Sequence, residues 1–421
     1  MKHAARAISL NLVLACVLGT MALGAIEKLP CAGGNFDGRQ YTRLCYTDLV
    51  PLVGTEQLAG GRLPFLDPCQ PSENNCDEYP VLTMYFMRLA AWVGGTGYTA
   101  FFWTNSLLLT VCAAAIGVWL WMLSGRRTLW FALAPTLAVY GLINWDLLAV
   151  ALATGALVAF AARRDGWAGA LLGLGAATKL YPIFFVLPLF LQGLQDREPD
   201  RSVRVLWWST GTYAAVNAPF AIAAPSSWAE FFRFNAERIP DFDSLWYIAC
   251  RHTNVACAGS PPTMINVLSA ALFVGGVALL WWLKVRRNPD FPRWTLIFPI
   301  VVVFLLVNKV YSPQYGLWLL PLFALTMVDM RSFLAFSLAD VAVFVTRFWF
   351  FGWYTGTPPP SYFAGYANDV DSAQSVFELA VGFRAAILIW ALVQWVRHDP
   401  LPLALGARGW RRSRAAREVA A

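Results

Sequence analysis

In the stretch CYTDLVPL, residues 45–52, one carboxylate, Asp48, stands among side chains that favour an interface. A carboxylate held beside apolar groups loses part of its hydration and can serve as a general base toward a hydroxyl. The plain alternative is a structural loop aspartate. Lys179, in TKLYP, sits at a turn between apolar runs, where Tyr181 and Pro182 interrupt the helical pattern. An ammonium there is costly unless it meets an anion or a water-filled cavity, or snorkels to the headgroups. Lys309 in VNKVYSPQY, with Tyr311 and Gln314 in the same turn, and Arg251 with His252 in ACRHTN follow the same logic. Several cations and one acid at a common opening suit an anionic, lipid-linked substrate. The cations hold a phosphate while the acid handles a hydroxyl proton. Asn144 and Asp146, in INWD, lie at a further turn. Asp146 there either supports Asp48 or an acceptor, or caps the helix that begins at Leu147.

These residues need a frame, and composition says what kind. The chain has 421 residues, 58% of them hydrophobic and only 14% charged, against about 25% charged in soluble domains. Lipid must therefore solvate much of its surface. The net charge of +7 comes from short basic clusters between apolar runs, which is positive-inside placement. No continuous basic face exists, which excludes nucleic acid as a partner. There is no P-loop, dinucleotide fingerprint, H-E-x-x-H or C-x-x-C motif, so a nucleotide-sugar donor is disfavoured and no cofactor or metal is expected.

The expected fold class is all-α, a polytopic membrane protein of about twelve transmembrane helices. Their apolar runs are 7–26, 98–123, 129–143, 147–162, 167–178, 183–193, 205–224, 264–283, 294–307, 316–328, 333–350 and 376–396. The first follows a basic start and is longer than a signal-peptide core, so it reads as an uncleaved span. Both termini fall on the cytoplasmic side, and 81–93, which contains Arg88, becomes an interfacial helix on the outer face. A single domain is expected over 1–400, with a basic cytoplasmic tail over 401–421 and outer loops at 27–98, 225–263 and 351–375. Several runs, 167–178 above all, are too short for a hydrocarbon core of about 30 Å. Helices that stop early leave backbone groups that protein or water must cover. A wet cavity in the outer half follows, rimmed by 144–146, 179–182 and 308–315.

Cysteine placement tests that topology independently. Cys31, Cys45, Cys69 and Cys76 fall in the first outer loop, Cys250 and Cys257 in the second, and only Cys16 and Cys112 inside spans. Even numbers in outer loops and none in cytoplasmic ones suit disulfides in an oxidising compartment, with the pairing of the four left open. Scattered small apolar cysteines are the alternative.

YTDLVPLVGTEQLAGGRLPFLD, EYPVLTMYFM, GLINWDLLAVAL, GLGAATKLYPIFFVLPL, FFRFNAERIPDFDSLWY and NKVYSPQYGLWLLPL, in that order, resemble glycosyltransferase family 87. That family includes polyprenyl-phosphate-mannose-dependent mannosyltransferases, and the resemblance runs over about residues 8–396. It implies a GT-C fold with juxtamembrane helices in the first outer loop, an active site on the extracytoplasmic face of the cell membrane, and inversion at the anomeric carbon. It also implies a polyprenyl-phosphate-linked sugar donor, mannose first, and a glycolipid or polysaccharide acceptor. Asp48 matches the family's aspartate after the first span and would deprotonate the acceptor, while Lys179 and Lys309 stabilise the leaving phosphate. Where the family's mannosyltransferases carry a histidine in a late turn, this chain has Lys309 and Gln314, which keeps a pentose on the same carrier open. A transporter or lipid flippase would also use broken hydrophobic hairpins, but the charges here stand at turns and no inverted repeat is visible.

Overall fold

The computed structural model describes residues 8–34, 36–70, 76–253, 262–327, 330–357 and 367–399, with Leu403 and Leu405. The rest of the tail, Cys257, and positions 358–366 of the third outer loop lie outside the described residues. Every regular element among the described residues is helical. Helix α1 (Leu10–Lys28) leads into a long segment carrying the one-turn helices α2 (Arg39–Thr42) and α3 (Leu52–Thr55). Then come α4 (Val81–Gly94), α5 (Tyr98–Ser124), and the short α6 (Thr128–Ala132) and α7 (Pro135–Tyr140). A central hairpin of α8 (Asp146–Ala161) and α9 (Asp165–Thr178) precedes α10 (Val186–Gln195), α11 (Pro199–Ala223), α12 (Pro225–Glu237) and α13 (Leu245–His252). The chain closes with α14 (Thr263–Arg287), α15 (Ile297–Val307), α16 (Gly316–Thr326), α17 (Met330–Tyr354) and α18 (Val370–Arg397).

Local chemistry explains several boundaries. The Ser9 hydroxyl accepts from Leu12 N at 3.3 Å and caps α1. Asp369 and Ser372 form a reciprocal capping box at the start of α18. In α9, Gly169 and Gly173 stand four residues apart on the face that meets α11. A Cβ on Gly169 would sit 2.8 Å from Trp208 Cβ, and one on Gly173 would sit 2.9 Å from Thr212 Cβ. Only glycine permits backbones to approach so closely, the device that membrane helices use where van der Waals contact drives association.

Five helical stretches among the described residues are long and apolar enough to cross a bilayer: Leu10–Cys31, Tyr98–Ala132, Thr263–Arg287, Met330–Tyr354 and Val370–Arg397. The other expected spans are shorter or broken, except that run 205–224 falls on the continuous 25-residue α11, which is long enough but less apolar. Run 129–143 divides into α6 and α7 ahead of Pro135, and 183–193 begins as a 3-10 turn, Tyr181–Phe185, around Pro182. Run 294–307 opens as a 3-10 turn, Arg293–Leu296, after Pro292. Proline lacks the amide that would continue a helix, so such breaks fall at its positions. Run 81–93 is the 14-residue helix α4.

The middle of the bundle is built from helices that are apolar on every side, the pattern of an element surrounded by protein. Every residue of α16 is buried, and α8 and α15 are buried over most of their length. By contrast, α14 presents Val267, Leu272, Val274 and Leu279 on its exposed surface.

Candidate active site

Because α8 and α9 run antiparallel, the start of α8 (Asp146) and the residue after α9 (Lys179) lie at the same end of the hairpin. The segment bearing Asp48 is stitched onto that end. Asp48 N donates to Ile143 O (2.8 Å), and the Thr47 hydroxyl donates to Leu142 O (2.6 Å). Both carboxylate oxygens of Asp48 are held. The Tyr46 hydroxyl donates to Oδ1 (2.6 Å) and Asn144 Nδ2 to Oδ2 (2.8 Å). Asn144 is itself oriented, since its Oδ1 accepts from Trp145 N (2.8 Å) and its amide also reaches the Tyr79 hydroxyl (2.9 Å). Burial raises the Asp48 carboxyl above the usual carboxylate range, with the Asn144 and Tyr46 bonds and the Lys179 charge opposing it. Asp48 nonetheless keeps part of its surface accessible, as do Tyr46 and Tyr79. A partly dehydrated, oriented and reachable carboxylate is what proton abstraction from a hydroxyl requires.

Lys179 points inward. Its ammonium faces Asp146 Oδ2 at 3.5 Å and lies 5.0 Å over the Tyr79 ring, and its side chain is only 11% exposed. Snorkelling is thereby set aside. Asp146 is fully buried, and Trp145, not Asp146, takes the cap position of α8. The Asp146 side chain instead accepts from Trp318 Nε1 (2.7 Å) and leaves Oδ2 without a hydrogen bond. Trp318 is sandwiched between Tyr181 (centroids 4.2 Å apart) and Tyr315 (4.0 Å), which makes an aromatic wall behind the ion pair. Lys28, the last residue of α1, is buried, donates to Leu44 O (3.4 Å), and adds its charge to the field at Asp48.

The remaining candidates divide. Lys309 donates to Ala236 O (2.9 Å), and its own carbonyl accepts from Asp241 N (2.8 Å). Burial and the neighbouring charge of Arg238 lower its ammonium to about 8. It belongs to an adjoining cluster in which Arg238 pairs with Asp241 (3.2 Å) and Arg347 contacts Asp243. Tyr311 lies beneath the Arg384 guanidinium at 3.7 Å, and Gln314 is buried in the turn that precedes α16. Arg251 pairs with Glu378 at 2.8 Å and His252 Nε2 lies 2.6 Å from the same carboxylate, which ties α13 to α18. Disulfides join Cys31 to Cys45 and Cys69 to Cys76. Cys250 is disulfide-bonded as well, whereas Cys16 and Cys112 are free. Sequence reasoning passed over Tyr46, Tyr79, Trp318 and Lys28. A tyrosine two residues before the candidate base was the one visible signal.

A family model of glycosyltransferase family 87 matches residues 78–308, more than half of the chain. The chain belongs to glycosyltransferase family 87. No curated protein matches the sequence. Within this family 87 member the matched residues include Tyr79, Asn144, Asp146 and Lys179, while Tyr46, Asp48 and Lys309 lie outside them. The cluster is therefore assembled partly from the matched region and partly from the segment that precedes it.

Proposed function

We propose that this glycosyltransferase moves a sugar, mannose first among candidates, from a polyprenyl-phosphate donor to a hydroxyl of a glycolipid or polysaccharide, on the extracytoplasmic side of a twelve-span GT-C-like bundle. The observation that carries the reading is the Asp48 carboxylate, held by two hydrogen bonds and still reachable, with Lys179 close enough to act on its charge. In the step, Asp48 takes the acceptor's proton as the hydroxyl oxygen bonds to the anomeric carbon from the face opposite the phosphate. The carbon–oxygen bond to phosphate breaks, and the phosphate leaves with the electron pair. Lys179, and Lys309 with Arg238 in the adjoining cluster, balance its growing charge. Asp146 shares Lys179, so the ammonium is already desolvated and oriented before an anion arrives.

Beside Tyr79 and Leu180 lies a small cleft whose lining includes Phe65, Val81, Tyr213, Trp228 and Phe232, the kind of surface an apolar carrier chain packs against. The test is transfer of label from polyprenyl-phosphate-mannose in membranes containing the full chain, with the arabinose donor run alongside. Label should appear in a lipid or polysaccharide product and vanish with Asp48→Asn. Turnover of Asp48→Asn at the unmodified rate would remove the base, and transfer from no polyprenyl-phosphate sugar would remove the donor class.

A further inference from the structure

Tyr46 is held more firmly than its place in a loop suggests. Cys45, before it, is disulfide-bonded to Cys31, and Thr47, after it, is bonded to Leu142 O. Its ring stacks on Phe348 of α17 (centroids 5.0 Å) and on Tyr41 (6.4 Å). Its hydroxyl makes a 2.6 Å bond to Asp48 Oδ1, while Asn144 holds Oδ2 at 2.8 Å. Two donors on two different oxygens fix the plane of a carboxylate, and each oxygen keeps a lone pair for a third partner. The groups that face Asp48 are Tyr46 from its own segment, Lys28 from α1, Tyr79 ahead of α4, Asn144 and Asp146 at the start of α8, and Lys179 after α9. Among them only Tyr46 and Asn144 bond to it directly through their side chains.

We propose that Tyr46 is a positioning residue for the general base, its hydroxyl fixing one oxygen of Asp48 so that the carboxylate meets the acceptor in a single orientation and in ionised form. The proposal rests on the reading of Asp48 as the base. Tyr46 neither gains nor loses a proton in the step. Burial and the Asp48 charge raise its phenol well above the ordinary tyrosine value, so it stays a donor. The arrangement has a definite sign. A donor to the carboxylate favours the charged form, which holds the base ready at lower pH and costs it some proton affinity.

Tyr46→Phe keeps the ring and removes the bond. The acid limb of kcat against pH should move up by about one pH unit, the size expected for a hydrogen bond to a charged group. The alkaline plateau of kcat should fall about tenfold from lost orientation, with KM for the lipid donor within about twofold because donor binding does not use Tyr46. A 3-fluorotyrosine at position 46 strengthens the same bond and should displace the limb the other way, toward lower pH. A Tyr46→Phe enzyme with the unmodified limb and kcat, while Asp48→Asn is inactive, overturns the positioning role and leaves the base in place. Full turnover by Asp48→Asn overturns both. Should Tyr46→Phe fail to fold by thermal melting, the fluorinated enzyme decides, since it packs alike; an unmoved limb there overturns the proposal.

Discussion

The two ends of the α8–α9 hairpin carry similar charges and use them differently. At one end Arg201 Nε donates to both oxygens of Asp165 (3.0 and 3.2 Å), Nη1 to Asp196 (3.2 Å) and Nη2 to Phe160 O (2.9 Å). Its guanidinium also lies 4.1 Å over the Phe160 ring. Each nitrogen of the guanidinium is engaged, as the planar fork of arginine permits. At the other end Lys179 meets Asp146 at 3.5 Å, and Asp146 Oδ2 has no hydrogen bond. A lysine is a point charge with three rotatable donors, and here they are underused. The satisfied end locks helices together. The unsatisfied one, next to Asp48, keeps bonding capacity for a further partner.

That contrast can be broken by substitution. The largest effect is expected from Asp48→Asn, which should lower kcat by about a thousandfold, within the range of general-base catalysis, and leave the melting temperature nearly unchanged. Labelled-donor turnover and thermal melting in detergent check it. Lys179→Met should cost about a hundredfold in kcat and also destabilise the fold by about 3 kcal/mol, because Asp146 is left buried and unpaired. Adding Asp146→Asn should restore the stability and not the turnover, which would separate the lysine's two roles. At the opposite end, Arg201→Met should cost a similar 3 kcal/mol or so with kcat per folded molecule unchanged. A loss of kcat there would erase the distinction between the ends.

Smaller effects sharpen it. Since burial raises Asp48, its ionised form is lost sooner as pH falls, so the acid limb of kcat should lie above the usual carboxylate range and disappear with the base. Glu56, buried in the segment before α4 and accepting from Asp77 N (2.7 Å), is raised to about 8 by burial. The folded protein therefore holds a proton that the unfolded chain releases. Stability should fall as pH rises from the ordinary glutamate value of 4.5 to about 8 and level off above it. Glu56→Gln should flatten that slope, as read from melting temperatures across the range.

Much of the candidate site was legible as residue types at turns. Asp48, Asn144, Asp146 and Lys179 each stood out because a polar group among apolar neighbours needs a partner. Their partners were not legible. Trp318 reaches Asp146 across 172 positions and Asn144 reaches Asp48 across 96, separations over which no local pattern speaks. Arg251 and His252 looked like free cations for the same reason, since Glu378 lies on α18. The short apolar runs announced helices too brief for a bilayer, yet where each breaks depended on Pro135 and Pro182 acting within a packed bundle.

By itself the sequence determined the solvent and the local elements: the shortage of charge demands lipid, and apolar runs bounded by prolines, glycines and caps become helices of limited length. Tertiary structure alone decided which charges meet. Lys179 was a candidate for the headgroups until α8 supplied Asp146, and Tyr46 was an ordinary loop aromatic until the 142–144 turn drew Asp48 against Asn144. The reason is physical. Helix formation is governed by neighbours a few residues away, whereas the cost of burying a charge is settled by whichever group the fold brings within a few ångströms of it.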